Sequence, residues 1–157
     1  QVEKFGASDV LDLNWVQLMN AYSCTECGRC TSECPANQTG KKLSPRKIMM
    51  DTRDRLEKVS LNISNNKGKF VDDGDRLLDN YISKEELWAC TSCNACVEAC
   101  PINIDPLSII MDMRQYLIME ESSAHPDLNN MMNNIENNGA PWPYNQLDRE
   151  LWVQETK

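Results

Sequence analysis

Apolar residues recur at helical spacing in two segments of the chain, one after Ser44 and one after Asp105. The residues that make up this pattern are Ile48, Met49, Leu56, Ile109, Ile110, Met113 and Leu117. Ser44 and Asp105 are good N-cap residues, and each is followed by a proline, Pro45 or Pro106, which suits the first helical position. The pattern predicts an amphipathic helix in each segment.

Two earlier segments are also predicted to be helical. Residues 11–22 place four apolar side chains on one helical face, namely Leu11, Trp15, Leu18 and Met19. The segment SKEELW begins with a capping box formed by Ser83 and Glu86. Since no segment shows the sustained alternation expected of a strand, the predicted fold class is all-α.

The helices flank two copies of one cysteine pattern, C-x2-C-x2-C-x3-C-P. The second copy begins at Cys90, 66 residues after Cys24. The similarity between the two copies extends beyond the cysteines, where SPRKIMMDTRDRL in the first aligns with DPLSIIMDMRQYL in the second. That second match has an offset of 61, from Ser44 to Asp105, so the first repeat has five extra residues around TGKKL. The sequence therefore predicts an internal duplication of the unit helix, cysteine loop, helix.

The repeats cover about residues 10–58 and 82–121 of a predicted domain that spans residues 1–125. Residues 61–75, between them, are rich in Asn, Gly and Asp, which predicts a surface loop.

Residues 126–157 are predicted to lie outside this domain. A helix is expected to begin near Pro126 and to stop before Gly139, a C-cap candidate. His125 is expected to be an exposed residue at the start of that helix rather than a ligand. A proline-broken tail follows, and its tryptophans are Trp142 and Trp152.

All eight cysteines lie in the two repeated loops: Cys24, Cys27, Cys30, Cys34, Cys90, Cys93, Cys96 and Cys100. Their spacing is that of bacterial-type 4Fe-4S ferredoxins. A cubane cluster presents separate iron corners, so three thiolates in one tight loop can each take a corner. The pattern therefore predicts two 4Fe-4S clusters that carry electrons.

Other uses of eight cysteines fit the pattern less well. Two four-cysteine zinc sites in a structural interaction module remain the alternative, although such sites typically use separated C-x2-C knuckles. A disulfide scaffold would spread its cysteines along the chain. A Rieske centre needs two histidine ligands, and His125 is the only histidine.

Composition narrows the function further. The chain has 157 residues and a formal net charge of -8, which argues against a nucleic-acid partner. No window approaches the roughly 20 apolar residues of a membrane-spanning helix, and residues 1–25 lack the features of a signal peptide. We expect a soluble, cytoplasmic chain. Because it starts at Gln1, we also expect it to be a processed product or a piece of a longer protein.

Three weaker features have two interpretations each. Gly28 and its counterpart Asn94 are residue types that tolerate positive φ. Either they let the backbone approach a cluster closely, or they are simply turn residues. A basic group is either a docking site or a solvated face, and it consists of Lys41, Lys42, Arg46 and Lys47. Five methionines are expected in the core rather than as heme or copper ligands: Met49, Met50, Met111, Met113 and Met119.

The sequence contains no G-x-G-x-x-G motif, no P-loop, and no adjacent Cys-Cys or Cys-His pair that could provide a catalytic thiol. An enzyme whose cluster acts as a Lewis acid would need an open iron corner, whereas eight cysteines satisfy two cubanes fully. We therefore expect an electron-transfer component of an oxidoreductase with no catalytic site of its own.

The sequence resembles the α-helical dicluster ferredoxins. The fragments with the closest resemblance are CTECGRCTSECPAN, SPRKIMMDTRD and CTSCNACVEACPINIDP. This family includes the small iron-sulfur subunit of heterodisulfide reductase and the iron-sulfur domains of glycolate oxidase and succinate dehydrogenase type enzymes. The resemblance covers about residues 10–120. It implies two interlocked ligand sets. One consists of Cys24, Cys27, Cys30 and Cys100, and the other of Cys90, Cys93, Cys96 and Cys34.

The same resemblance implies a redox protein partner. Many such domains are joined to a flavoprotein, to a cysteine-rich catalytic subunit, or to a membrane quinone or heme module. We therefore expect this chain to be the soluble dicluster part of a larger iron-sulfur oxidoreductase, held at the cytoplasmic face of the membrane through another segment or partner.

Overall fold

The computed structural model describes residues 4–156, and over this range it contains helices and no strand, apart from an isolated bridge between Leu78 and Ile82. The predicted all-α fold class is confirmed. Contacts divide the chain into two compact units, one that ends at Glu121 and one that begins at Ser122. The first unit contains a 3-10 turn at Val10–Asp12 and the helices α1 (Trp15–Ser23), α2 (Arg29–Ser32), α3 (Pro35–Gln38), α4 (Pro45–Asn65), α5 (Leu77–Asn80), α6 (Lys84–Ala89), α7 (Ala95–Glu98) and α8 (Pro106–Met119).

Local side-chain caps start the long helices of the first repeat. The Asn14 side chain accepts a hydrogen bond from the Gln17 amide, and the Gln17 side chain accepts one from the Asn14 amide, so a capping box opens α1. The Ser44 hydroxyl accepts a hydrogen bond from the Lys47 amide at 3.3 Å, and Pro45 is the first residue of α4. The predicted start of α4 is confirmed.

The second repeat uses the same devices. Ser83 and Glu86 form the predicted capping box of α6, with the Ser83 amide donating to the Glu86 carboxylate at 2.9 Å. The Asp105 carboxylate accepts a hydrogen bond from the Ser108 amide at 3.0 Å, and Pro106 opens α8. Both of these predicted helix starts are confirmed.

The core lies where α4 and α8 pack against each other and against α1. The apolar side chains that α4 and α8 bury are Ile48, Met49, Val59, Ile109, Ile110, Met113 and Leu117. Full burial of such a side chain contributes about 1.5–3 kcal/mol. Because α4 and α8 each follow a cysteine loop, this core holds the two loops at neighbouring positions.

Arg55 is a fully buried cation on α4. Its guanidinium donates to the Asp9 carboxylate at 2.7 Å, to the Asp73 carboxylate at 2.6 Å and to the Asp75 carbonyl at 2.6 Å. The hydrogen bonds to Asp9 and Asp73 raise the pKa of Arg55 further, so it stays charged. The pairing compensates a buried charge, and it ties the N-terminal segment and the loop before α5 to α4.

The segment 61–75 differs from the predicted loop. α4 continues to Asn65, so residues 61–65 are helical and the irregular stretch begins at Asn66. Polar residues end this helix by bonding its backbone. The Asn66 side chain donates to the Asn62 carbonyl at 2.8 Å, and the Asn62 side chain holds the Val71 backbone.

The apolar face predicted for residues 11–22 is buried only in part, at Leu18, which packs against the core. The α1 residues that are buried are Gln17 and Ala21, and the Gln17 side chain donates to Asp112 on α8 at 2.6 Å. Leu11 lies in the 3-10 turn before α1. The predicted residues that are exposed instead are Leu11 at 54%, Trp15 at 71% and Met19 at 52%.

The methionines follow the predicted core placement only in part. Met49 and Met113 are buried in the core, and Met50 is half-buried. Met111 and Met119 are exposed, so the prediction is wrong for these two. Both lie on the outer side of α8, away from the stripe that contains Ile109, Ile110 and Met113.

The second unit contains α9 (Pro126–Asn138), a 3-10 turn (Gln146–Glu150) and α10 (Leu151–Glu155). The predicted start and end of α9 are confirmed, with Gly139 at φ +67 as its C-cap. His125 is an exposed helix-start residue, as predicted, and its side chain accepts a hydrogen bond from the Asp127 amide. The predicted tail is helical over most of residues 146–155. Across residues 4–156, no helix is both long and apolar enough to cross a membrane.

Candidate metal centres

The two cysteine loops have the same backbone. Cys24 and Cys90 end the helices α1 and α6, and the short helices α2 and α7 follow. Each loop contains two residues in the left-handed region, and these are Glu26 at φ 58, Gly28 at φ 82, Ser92 at φ 56 and Asn94 at φ 61. These turns fold each loop back on itself, so that its first three thiols face a common space.

Glu26 and Ser92 were not predicted as special positions. Neither residue type is enriched at positive φ as Gly and Asn are. The one signal in the sequence is that Glu26 and Ser92 occupy equivalent positions of the duplicated motif, 66 residues apart. Gly28 and Asn94 were singled out from the sequence because both residue types tolerate positive φ, and both have positive φ in the structure.

The first cavity takes thiols from both repeats. The cysteines that line it are Cys24, Cys27, Cys30, Cys96 and Cys100. Met49, Ile102 and Ile104 form part of its apolar wall. Two charged residues, Glu26 and Arg46, also line it.

The second cavity is also built from both repeats. The cysteines that line it are Cys34, Cys90, Cys93 and Cys96. Leu43, Leu107 and Ile110 are among its apolar residues. Cys100 of the second loop thus faces the cavity of the first loop, and Cys34 of the first loop faces that of the second. Packing of α2 against α7 brings the two loops together in this way.

Exposure differs among the thiols. Cys27 and Cys93 are exposed, whereas Cys34 and Cys96 are buried and the other four are intermediate. Each cavity therefore has one exposed thiol at its surface side. Cys96 lines both cavities, so it lies in the wall that they share.

The protonation of three thiols reflects this placement. Burial, with the neighbouring Cys90 thiol adding to it, raises the pKa of Cys96 to about 12. Burial also raises the pKa of Cys30, whereas a hydrogen bond from the Ala95 amide lowers the pKa of the exposed Cys93. Since metal ligation requires thiolates, binding of a cluster releases the protons of thiols that are protonated at neutral pH.

Backbone amides point at two of the sulfur atoms. The Ser92 amide donates to Cys90 Sγ and the Ile104 amide to Cys100 Sγ, each at 3.4 Å. Hydrogen bonds to ligating sulfur atoms are one of the factors that set the reduction potential of a 4Fe-4S cluster.

An arginine on the helix after each loop reaches back to that loop. Arg53 on α4 pairs with the Glu26 carboxylate. Arg114, 61 residues later on α8, donates to the Leu87 carbonyl at 2.6 Å and to the Cys90 carbonyl, and its guanidinium lies over the Trp88 ring. These arginines hold the loops onto the core helices. They were not singled out from the sequence, although both fall in the repeated segment that follows the cysteines.

The basic group of the first repeat does not form one surface. The Lys42 ammonium pairs with Glu85 at 2.8 Å, and the Lys47 ammonium pairs with Glu86 at 2.9 Å. Both pairs link the first repeat to α6 of the second. Arg46 instead lines the first cavity.

The donor set fits 4Fe-4S clusters. Each cavity is lined by at least four thiols, the donor type that such clusters require. Within residues 4–156, no three Cys, His, Asp or Glu side chains converge on a point close enough to hold a single ion. The ligands of a cubane bind separate iron corners and therefore surround a volume.

The helical fold and the two thiol-lined cavities define an iron-sulfur protein with two cluster sites. Residues 23–104 match the 4Fe-4S dicluster domain family, and the chain belongs to this family. It binds two 4Fe-4S clusters and functions in electron transfer. The resemblance to dicluster ferredoxins is confirmed, and the zinc alternative is not favoured.

Curated relatives agree with this assignment. The chain is 32% identical to the probable iron-sulfur-binding oxidoreductase FadF of Bacillus subtilis, over 98% of this chain and 26% of that protein. It is 29% identical to the EtfAB:quinone oxidoreductase of Syntrophomonas wolfei, over 99% of this chain and 24% of the relative.

A third similar protein is one of the subunits of the ferredoxin/F(420)H(2)-dependent CoB-CoM heterodisulfide reductase of Methanosarcina acetivorans, with 29% identity over 73% of this chain and 56% of the relative. The chain spans about a quarter of the length of the first two relatives.

Proposed function

We propose that the two clusters are held by interlocked ligand sets. One set is Cys24, Cys27, Cys30 and Cys100, and the other is Cys34, Cys90, Cys93 and Cys96. The observation that carries the proposal is the pair of cavities, because each is lined by thiols from both repeats. The fourth cysteine of each motif faces the cavity of the other loop. Cys96 lines both cavities, and its place in the second set follows from its position in the second loop.

A bound 4Fe-4S cluster supplies one-electron oxidation and reduction. The residues of the chain determine where an electron crosses the protein surface. Cys27 is the exposed thiol of the first set and Cys93 that of the second, so these two positions are the entry and exit points. The buried Cys96, in the wall shared by both cavities, lies on the route between them. The chain is thus a relay with two surface ends.

We further propose that this relay is the iron-sulfur part of a larger oxidoreductase. Two relatives that align with nearly the whole chain are about four times longer and are named as oxidoreductases, one of them as an EtfAB:quinone oxidoreductase. Candidate partners are therefore a flavoprotein or a cysteine-rich catalytic subunit on one side and a membrane quinone or heme module on the other. Such a path would run at the cytoplasmic face of a membrane.

The test is metal analysis and spectroscopy of anaerobically purified protein. We expect about eight iron and eight acid-labile sulfide per chain, and two paramagnetic centres after one-electron reduction of each cluster. The same chain refolded with zinc serves as the colourless control. Native protein that contains two zinc ions and no iron would overturn the proposal. The membrane location is tested separately, by asking whether the full-length protein sediments with membranes.

A further inference from the structure

Arg46 is an exposed arginine in the first turn of α4, and its side chain lines the first cavity. Its Nη1 atom lies 3.9 Å from the position that a Cβ atom would occupy on Gly28, so the guanidinium reaches the cysteine loop. Within residues 4–156 no carboxylate pairs with this guanidinium. Its positive charge therefore faces the space that the first ligand set surrounds.

The corresponding position of the second repeat carries no charge. Leu107 follows Arg46 by 61 residues and occupies the same place after the N-cap, since Ser44 and Asp105 start the two helices. Leu107 lines the second cavity, as Arg46 lines the first. No charged side chain is among the described residues that line the second cavity. The two repeats therefore have equivalent cavities that differ at this position, with a charged Arg46 in the first and a neutral Leu107 in the second.

Two other charged positions lie near the cavities, but neither is equivalent to the Arg46 and Leu107 pair. Glu26 also lines the first cavity, but its carboxylate is paired with Arg53, so the two charges offset each other. Arg114 lies on the second repeat, where it binds the Leu87 and Cys90 carbonyls and stacks on Trp88. It is not part of the cavity wall, although its charge interacts with Cys90, a cysteine of the second set.

We propose that Arg46 raises the reduction potential of the cluster in the first cavity and leaves that of the second nearly unchanged. The proposal rests on the proposed ligand sets. One-electron reduction adds one negative charge to a cluster that already carries four thiolates, and a nearby cation stabilises the reduced form more than the oxidised form. Leu107 gives the second cluster no such charge at the equivalent position, so the effect of Arg46 is confined to the first cluster.

The experiment is a redox titration of the clusters by electron paramagnetic resonance in the whole chain. Arg46→Leu introduces the residue type found at position 107 and should lower one of the two reduction potentials. The expected decrease equals about a three- to tenfold change in the ratio of reduced to oxidised cluster, and a tenfold change corresponds to about 59 mV. Arg46→Lys, which keeps the charge, should retain most of the wild-type potential. Leu107→Arg should raise the other potential.

Salt separates an electrostatic effect from a structural one. Arg46 is exposed, so the difference between wild type and Arg46→Leu should shrink as the Debye length falls from about 10 Å at 0.1 M salt to about 3 Å at 1 M. Equal shifts of both potentials, no shift, or an Arg46→Lys shift as large as that of Arg46→Leu would overturn the proposal.

The ligand proposal fails in a different way from the Arg46 proposal. Wild-type protein with fewer than two clusters contradicts the ligand sets, whereas two intact clusters with unmoved potentials contradict only the role of Arg46. If Arg46→Leu fails to assemble, the Leu107→Arg variant decides alone, since it either raises one potential or does not.

Discussion

The two cysteine loops share a backbone and differ in the charges around it. Both turn through left-handed residues at equivalent positions, and both are followed by a capped helix that begins with proline. The first loop is surrounded by Glu26, Arg46 and Arg53, whereas the equivalent residues of the second repeat are Ser92, Leu107 and Arg114. After duplication, the geometry that positions the thiols was kept while the surrounding charges diverged. Thiol placement is therefore the stricter requirement.

The largest effect is expected from pairs of cysteine substitutions that separate crossed from uncrossed loops. Cys27→Ala combined with Cys100→Ala removes two ligands of one proposed set, so about four iron atoms per chain should remain. Cys27→Ala combined with Cys34→Ala damages both sets, so both clusters should be lost. Iron analysis and paramagnetic resonance of anaerobic protein measure the difference. If the two double variants give the opposite order of iron content, each loop holds its own cluster and the two repeats are independent sites.

Much of this comparison could be predicted from the sequence because helix capping is local. Ser44, Ser83 and Asp105 act on amides three residues away, and the structure places all three as predicted. The cysteine spacing likewise predicted the type of centre. Side-chain contacts between distant segments could not be predicted in this way. The Gln17 amide group finds its partner on Asp112, 95 residues away, so a polar residue is buried on α1 while Trp15 and Met19 are exposed.

The next effect is a pH dependence expected in the second repeat. Burial raises the pKa of Glu86, but hydrogen bonds from the Ser83 amide and Lys47 outweigh it, so the folded-state pKa lies below the usual 4.5. Its stabilisation is therefore present above the unfolded-state pKa and is lost as pH falls through the lowered value. Glu86→Gln should reduce the free energy of unfolding by about 1.5–3 kcal/mol at pH 7. The deficit should shrink below about pH 4.

Thermal unfolding of anaerobic holoprotein at pH 7, where the acid-labile clusters are intact, measures this deficit. The matched control is Glu85→Gln, because Glu85 is an exposed neighbour that pairs with Lys42. That control should cost about 0–1 kcal/mol. In the first repeat, the capping box is closed by the neutral Gln17, which cannot contribute such a titration. A deficit in Glu86→Gln no larger than that in Glu85→Gln would contradict the assignment.

The smallest effect is expected from exchanging the turn residues of the loops. Gly28→Asn and Asn94→Gly each install the residue of the other loop, and both types tolerate the observed positive φ, so each should change stability by less than about 1 kcal/mol. Gly28→Ala should cost about 1–2 kcal/mol from backbone strain alone, since a Cβ atom there meets nothing closer than 3.9 Å. Unfolding temperatures and iron content provide the measurement. If Asn94→Gly were more damaging than Gly28→Ala, the Asn94 side chain would have a role beyond its backbone conformation.

The sharing of cysteines between the cavities also determines how the protein can be made. Cys100 lines the first cavity, so that cavity is not complete when the first loop leaves the ribosome. It becomes complete only after about seventy further residues have been synthesised and the second loop has folded back onto the first. Cys34 must meanwhile stay reduced until Cys90, Cys93 and Cys96 are in place around it. The order in which the thiols are synthesised is thus not the order in which the sites close, since both sites need the second loop before either is complete.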